Sequence, residues 1–429
     1  MKFNKTVLAA ALASAVCIVV PAQAQPSKEL DDLREEIKRL REEVNELKKS
    51  KAAEAKPAAA PAPAVSERIE QLEIKSKDAV VVGDIPGSFR LPGSDTSVRL
   101  YGYAEAHLVH DLRKPGPSDV FTDLTFQPLD NDPSVRKGKT KLTAQTSRFG
   151  FETSTPTSVG PFTTKVEADF YSYSAANRNR LRLRHAYGEY AGWLVGQTWS
   201  TFMDLDNGPE TVDFNTPNGY PFSRRTMIRY TYGDPKARYK LTAALEDPED
   251  QFGGGSTNER MPQIVLRADK TFDWGSANVR LLAHEKRSSS QTKRGGGIGV
   301  GANYKLTDKD LLMGQYTRVD GDVDGLIGSN GYAIDATGKI TFDKNQGLVL
   351  GLAHTFSDQL RGNLAFGMNR GKTAQAVDNR SLRQFHINVI HSPIKNLELG
   401  AEYIHGIRKT FGGGTGTMSR FDLMGRYSF

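Results

Sequence analysis

The chain has 429 residues, of which 38% are hydrophobic and 25% are charged, and its formal net charge is +7. No internal segment approaches 18 consecutive apolar residues, which excludes a helical inner-membrane protein. The composition remains compatible with a transmembrane barrel whose interior faces water, and the basic balance suits a lumen that attracts anions.

Residues 1–24 predict a secretory signal peptide. An apolar stretch at 7–20 follows two lysines, and Ala22-Gln23-Ala24 forms a small-x-small cleavage site. The apolar stretch is too short to span a bilayer. The only cysteine, Cys17, lies inside this segment, so we expect no disulfide and no cysteine-ligated metal in the mature chain.

Residues 25–50 predict a coiled-coil helix that associates with copies of itself. Apolar residues at heptad positions a and d form a narrow seam, and most of the other positions are charged. Two branched residues at a, with leucine at d, favour two strands by the usual rule, although three heptads are a weak basis for stoichiometry. The predicted oligomerisation residues are Leu30, Leu33, Ile37, Leu40, Val44 and Leu47.

Residues 51–97 predict an Ala/Pro-rich linker followed by a lead-in segment. From residue 98 to 429 the hydrophobic period changes to two, which is typical of strands with one apolar face. The fold class we predict is an all-β membrane protein, a 16-stranded antiparallel transmembrane β-barrel with an N-terminal periplasmic coiled coil. The predicted strands are 98–112, 145–154, 162–173, 180–190, 192–199, 223–233, 237–246, 261–271, 276–286, 296–305, 310–319, 346–356, 359–370, 381–391, 396–408 and 418–429.

The connections between these strands alternate between long and short. Segments 113–144, 200–222, 247–260 and 320–345 are long, and each is followed by a short connection, such as 155–161 or 273–275. Outer-membrane barrels have this asymmetry, with short periplasmic turns and long outer loops. An even strand count also predicts that both ends of the barrel segment lie on the periplasmic side.

The last strand shows the two-faced pattern most clearly. Phe421, Leu423 and Tyr427 alternate with charged residues such as Arg420 and Arg426. A charge on the lipid face costs roughly 2–4 kcal/mol at the bilayer midplane, so this alternation is strongly enforced in a barrel wall.

Arginines on the predicted inner faces suggest an anion pathway. Arg180, Arg182 and Arg184 alternate with two leucines, which predicts a ladder of guanidinium groups about 6.8 Å apart. The alternative is that these arginines only form structural salt bridges with Glu167 and Asp169. The other predicted pore-lining arginines are Arg99, Arg148, Arg225, Arg229 and Arg267, and Arg280 falls on the same face.

The long segment 200–222 carries the second candidate feature. If it folds inward, it narrows the channel, and its acidic residues set a transverse field opposite the arginines. The alternative is an ordinary exposed outer loop. The acidic residues of this predicted constriction loop are Asp204, Asp206, Glu210 and Asp213.

Catalysis finds little support in the sequence. The eight histidines lack HExxH spacing, and no GxSxG or phosphate-loop motif is present. The spacing of Asp204, Asp206 and Glu210 lacks the complete EF-hand pattern, so we predict no bound metal and no cofactor. We also expect no nucleic-acid partner for a secreted chain, and we do not predict an enzyme.

The order of segments resembles the DcaP-like porins of Gram-negative bacteria. The resemblance rests on the heptads at 30–47, LPGSDTSVRLYGY (91–103), SRFGFET (147–153) and the block at 180–219. It implies a homotrimer in the outer membrane, with the coiled coil in the periplasm. It also implies uptake of small anions such as dicarboxylates through a positively lined pore.

We therefore expect an outer-membrane porin for small, mainly anionic solutes, with solute, lipid and copies of itself as partners. A structural alternative is a protein that tethers the outer membrane to the periplasm or cell wall, with an incidental pore. A more remote alternative is an outer-membrane hydrolase.

Overall fold

The computed structural model describes residues 38–39, 41–43, 46, 81–117, 121–171, 180–233, 236, 238–250, 257–326, 328–372 and 378–429. The chain divides into two compact units, Met1–Ser76 and Lys77–Phe429. In the first unit, the described residues are helical and exposed. The six predicted seam residues, the signal segment and residues 51–80 of the predicted linker and lead-in lie outside the described residues. Within the described part of the chain, no helix combines the length and the apolar character needed to cross a bilayer.

The second unit is built from antiparallel strands and one short 3₁₀ helix (Leu124–Phe126). The strands are β1 (Val81–Val82), β2 (Phe89–Arg90), β3 (Ser97–Asp111), β4 (Lys139–Thr143), β5 (Arg148–Thr155), β6 (Phe162–Asp169), β7 (Arg182–Tyr190), β8 (Trp193–Trp199), β9 (Arg224–Tyr232), β10 (Tyr239–Glu246), β11 (Gln263–Phe272), β12 (Gly275–Arg287), β13 (Thr292–Lys305), β14 (Asp310–Asp320), β15 (Tyr332–Ile334), β16 (Ile340–Phe342), β17 (Lys344–Ser357), β18 (Leu360–Gly371), β19 (Asn379–Ile394), β20 (Leu397–Thr410) and β21 (Thr415–Ser428).

The strands close into a barrel because β21 pairs with β3. The main sheet has 19 strands; β1 and β2 are short additions at the start, and β4 and β5 share one wall position along β3, which leaves a 16-stranded barrel. Each predicted strand overlaps one of these positions, so the predicted barrel is confirmed. Closure removes the exposed strand edges that would otherwise remain unpaired in lipid.

Three local features differ from the prediction. β4 lies in the segment 113–144 that was predicted as a connection, and the second predicted strand, 145–154, begins only at Arg148 as β5. Between β4 and β5, Ser147 Oγ hydrogen-bonds the backbone of Glu105 at 3.0 and 3.1 Å. β7 begins at Arg182 rather than at residue 180. The long segment before β17 contains a separate hairpin, β15–β16, which periodicity did not predict.

The two faces of the wall meet different environments. On β3, Leu100 is 62% exposed on the outside, whereas Glu105 and His107 are buried inside. On β21, Phe421 and Tyr427 are exposed, whereas Arg420 is fully buried. This arrangement confirms the predicted inside and outside for these strands, and it places a polar lumen inside an apolar outer surface.

Candidate functional site

The segment between β8 and β9, residues 200–223, leaves the wall and lies inside the lumen. Ser200 N–H donates to the carbonyl of Ser223 at 3.0 Å, which closes the base of the segment. Glu246 on β10 accepts from Ser200 Oγ and from Thr201 N–H, both at 2.7 Å. We call residues 200–223 the constriction loop. Its inward fold was one of two alternatives left open by the sequence.

Two inward arginines hold the first part of the constriction loop. Arg280 donates to the carbonyl of Phe202 at 2.8 Å, and Arg267 donates to the carbonyl of Met203 at 2.7 Å. Asn278 on β12 donates to Asp204 at 2.8 Å. Buried backbone carbonyls need such donors because the lumen wall displaces water from them.

Inward-facing glycines let the loop lie flat on the opposite wall. A Cβ added at Gly347 would lie 2.3 Å from the Gly219 carbonyl oxygen, and one at Gly367 would lie 2.3 Å from the Asn218 carbonyl oxygen. The lack of a side chain at these wall positions permits this close approach. Other inward glycines that approach the loop are Gly297, Gly301, Gly351 and Gly400.

A buried carboxylate on β20 holds the far side of the loop. Glu402 accepts from the N–H groups of Val212 and Asp213, and its other oxygen lies 2.6 Å from His386 Nδ1. Further along, Asn218 N–H donates to Gln384 on β19 at 2.8 Å. The loop is therefore bound to strands on both sides of the barrel.

A second segment also enters the lumen, which the sequence did not predict. Leu124 of the 3₁₀ helix is fully buried, and it packs with Leu382, Ile404 and Met418 of the wall. The segment touches the constriction loop through Thr122, whose N–H and Oγ1 donate to Asp213 at 3.2 and 3.0 Å.

The carboxyl of Asp213 has an altered proton affinity. Burial, opposed by Arg420 and His386 and assisted by the like charges of Asp422 and Glu402, raises the pKa of Asp213 to about 7. The group therefore changes charge near neutral pH.

The four predicted acidic residues of the loop have two different placements. Asp204 and Asp213 are buried and hold the loop in place. Asp206 keeps a side chain that is 74% exposed, and Glu210 pairs with Arg361 through two 2.8 Å hydrogen bonds. Of these four residues, only Asp206 and Glu210 therefore have carboxylates exposed to solvent.

The wall at β6 and β7 carries two of the predicted ladder arginines. Arg182 binds Asp169 through hydrogen bonds of 2.9 and 2.7 Å, and Arg184 binds Glu167 and Asp169 at 2.7 Å each. The third, Arg180, is exposed and precedes β7. The register shifts at Arg184, because Glu167 pairs with His185 while Ala168 pairs with Leu183. The shift is a bulge, which turns both Arg184 and His185 inward.

Aromatic rings separate the guanidinium groups of this wall. Arg224 and Arg184 lie over the Trp199 ring, at 3.6 and 5.7 Å from its centroid. Arg182 and Arg184 both lie 5.7 Å from the Phe214 ring of the constriction loop. Cation–π contacts of this kind stabilise closely spaced cations that would otherwise repel.

A cavity of about 350 Å³ lies between this wall and the constriction loop. Four arginines line it: Arg148, Arg184, Arg224 and Arg426. The loop lines the other side, through residues that include Glu210 and Asp213. We call this space the eyelet.

The other predicted pore-lining arginines lie on the inner side of the wall but outside the eyelet. Arg99 pairs with Glu152, Arg225 is buried against Asp324 at 2.9 Å, and Arg267 holds the loop. Arg229 is half-buried on β9. Sequence reasoning missed two arginines of the eyelet. Arg426 lies on the charged face of the last strand but was not selected. Arg224 has the opposite parity to the selected Arg225, yet both side chains are buried, and Arg224 lines the eyelet.

Comparison with known proteins gives a family and a fold. A family model described as DcaP outer membrane protein matches residues 84–429. The chain is similar to the solved outer membrane channel DcaP of Acinetobacter baumannii, with 28% identity, a TM-score of 0.72, and coverage of 82% of this chain and 100% of that chain.

More distant structures share the fold. The anion-selective porin from Comamonas acidovorans is 14% identical, with a TM-score of 0.54 and coverage of 78% and 100%. The trimer form of OmpT from Vibrio cholerae is 13% identical, with a TM-score of 0.52 and coverage of 78% and 99%. None of the curated proteins compared with the chain matches it.

Proposed function

The chain belongs to the DcaP outer-membrane protein family, and from that membership we propose that it is a porin for small, hydrophilic, mainly anionic solutes such as dicarboxylates. The solute crosses by diffusion through the eyelet, which the constriction loop narrows. The relative from Acinetobacter baumannii is a channel, and the porin from Comamonas acidovorans with the same fold is anion-selective.

The four arginines of the eyelet carry the proposal. Arg148 and Arg426 keep side chains that are 21% and 27% exposed, so both can meet a passing solute. Two carboxylates pair with Arg426: Glu105 is only 1% exposed, and Glu398, at 3.3 Å and 23% exposed, is not among the residues that line the eyelet. The charge that faces the solute is therefore mainly positive, and rings of charge at close range set selectivity in pores.

Reversal potentials in planar bilayers test this proposal. We expect the double variant Arg148→Gln/Arg224→Gln to lower the preference for chloride over potassium in a salt gradient, because two cations leave the lining of the eyelet. Arg238→Gln is the matched control, since that side chain is 67% exposed near a short turn outside the eyelet. Unchanged selectivity in the double variant, or an equal change in the control, contradicts the proposal.

We further propose that the assembly is a homotrimer with the short turns and the coiled coil on the periplasmic side. The long loops, which include residues 112–138 and 321–343, all leave one end of the barrel, whereas short turns such as 273–274 leave the other. This asymmetry supports the orientation, since outer-membrane barrels carry their long loops outside.

A further inference from the structure

The outer wall carries a compact basic patch where lipid headgroups would lie. Arg370 on β18, Arg383 on β19 and Lys409 on β20 are all exposed, and they sit on three neighbouring strands near the end with the long loops. We call these three residues, together with Ser381, the basic rim patch.

Neighbouring side chains fix the direction in which these cations point. Arg370 and Arg383 alternate along their strands with Asn369, Leu382 and Gln384. Each of these three residues is only 1% exposed and lies on the lumen face. Arg408, next to Lys409, donates to the carbonyl of Gln127 inside the barrel at 2.8 Å. Because successive residues of a strand face opposite sides, the three cations face outward, toward the membrane.

The register brings the three cations together around one point. Ser381 pairs with Arg370 on one side and with Lys409 on the other. Arg383 lies two residues further along the same strand as Ser381. It is therefore the diagonal neighbour of both other cations, at about 7–8 Å. Side chains of this length can converge on a single anionic group from such positions.

Within the described part of the chain, none of the three cations forms an ion pair. Arg380, which the register shift between Asn379 and Ser381 leaves unpaired in the ladder, adds a fourth exposed cation beside them. These like charges repel one another, which raises the electrostatic free energy of the folded protein. A bound ligand of opposite charge would lower that energy.

An apolar surface adjoins the patch on the side of the membrane. Leu364, Phe385 and Ile387 face outward on the same strands, and each is more than 40% exposed. On the wall formed by β10 and β11, the outward residues near the same end of the barrel are Leu245 and Ile264. Other exposed cations near this end are paired with carboxylates, as Arg318 is with Asp320 at 3.6 Å and Arg294 is with Glu285 at 3.7 Å. The basic rim patch lies where an acyl chain and a charged headgroup would meet.

We propose that the basic rim patch binds the phosphate group of a phosphorylated glycolipid of the outer leaflet, with an acyl chain of that lipid lying over Phe385 and Leu364. The three cations supply charge-assisted hydrogen bonds to phosphate oxygens, and Ser381 supplies a hydroxyl donor. The inference uses the proposed orientation of the barrel, but it is independent of solute selectivity, so either proposal can fail without the other.

Lipid binding by the full-length protein in non-ionic detergent tests the inference. The probe is diphosphorylated lipid A, compared with the same lipid A after removal of its phosphates. We expect the variant Arg370→Gln/Arg383→Gln/Lys409→Gln to bind the phosphorylated probe at least about tenfold more weakly than the unchanged protein does. Arg238→Gln/Lys270→Gln/Lys395→Gln is the matched control, because it removes three exposed cations near the short turns.

Several outcomes would overturn the inference. These are wild-type affinity in the patch variant, equal binding of the dephosphorylated lipid by the unchanged protein, and an equal loss in the control variant. A change of oligomeric state in the patch variant without lipid would assign the patch to an interface between copies instead. Arg383→Lys keeps the charge and should retain most of the binding, which separates charge loss from misfolding; its failure to do so also contradicts the inference.

Discussion

At the scale of single residues, the path of the constriction loop depends on glycines of the wall, which have no side chain. Gly367 faces the lumen where Pro217 and Asn218 cross β18, and an added Cβ would lie 2.5 Å from Pro217 Cβ. Both partners are close to backbone, so neither can move aside as a flexible side chain would. Overpacking of such a contact typically costs about 1–3 kcal/mol.

We therefore predict that Gly367→Ala displaces the loop and changes single-channel conductance, with a loss of about 1–3 kcal/mol in the free energy of unfolding. Conductance in planar bilayers and urea unfolding in lipid vesicles measure the two effects. Gly425→Ala is the control, because a Cβ there would meet only Leu399 Cδ2 at 3.9 Å on the outer face. Equal conductance in Gly367→Ala and the unchanged protein would contradict the role of the glycine.

Arginines that share the eyelet differ in what their removal would cost. Arg184 binds two carboxylates, Glu167 and Asp169, whose side chains are 5% and 0% exposed. Arg148 reaches Glu167 only at 3.3 Å, and its own side chain is 21% exposed. Removing one partner of a buried ion pair leaves an uncompensated charge, which typically costs about 3–5 kcal/mol.

We predict that Arg184→Gln lowers the free energy of unfolding by about 3 kcal/mol, whereas Arg148→Gln changes it by less than about 1 kcal/mol. Urea titration of both variants in the same vesicles gives the comparison. An equal loss of stability in the two variants would show that the closer pairing of Arg184 does not stabilise the fold.

At the scale of elements, the constriction loop carries a proton-linked contact. Because the pKa of Asp213 is raised to about 7 from a usual value of 3.8, the folded chain holds a proton on it that the unfolded chain releases. The stability from this group is present at low pH and is lost as the pH rises from about 4 to about 7.

The groups that surround Asp213 come from several elements. Thr122 from the first inward segment and the N–H of Asn215 from the loop donate to it, while Glu402, Asp422, His386 and Arg420 act on it from the wall. We predict that protection of the loop against protease declines across this pH range and that Asp213→Asn reduces the decline. Asp206→Asn serves as the control, because the Asp206 side chain is exposed, whereas burial raises the pKa of Asp213. If the slope with pH is the same in Asp213→Asn and in the unchanged protein, Asp213 is not its source.

The strands could be predicted because the face on which each side chain lies follows from its position in the strand. Leu100 and Glu105 meet lipid and lumen according to position in the strand alone, and a charge on the wrong side would be costly. The bulge at Arg184 breaks this rule, since it needs one extra residue that no sequence period indicates.

The path of the constriction loop was not predictable in the same way. Its contacts pair residues far apart in the chain, such as Asn218 with Gln384 and Val212 with Glu402. A glycine on a strand also gives no sign of which segment will cross it. From the sequence, Asp204 and Asp213 were therefore expected to set a transverse electric field across the channel. In the fold both carboxylates are buried, and their hydrogen bonds fix the position of the loop.

At the scale of the whole molecule, we propose that the barrel and the N-terminal segment perform separable tasks. The eyelet is formed entirely by residues between Tyr103 and Arg426, all within the second compact unit. The predicted coiled coil belongs to the first unit, so a change in its seam should alter assembly without altering the solute path through a single barrel.

We predict that Leu33→Ser/Leu40→Ser/Leu47→Ser lowers the temperature at which oligomers dissociate on gels while the conductance of each barrel stays the same. The apolar seam would lose its burial, since leucine at d positions packs between the helices. Lys38→Ser/Glu42→Ser/Glu46→Ser is the matched control, because those residues are helical and exposed. Intact oligomers together with a leaky envelope would instead favour the tethering role, because a tether needs the segment for attachment rather than for assembly.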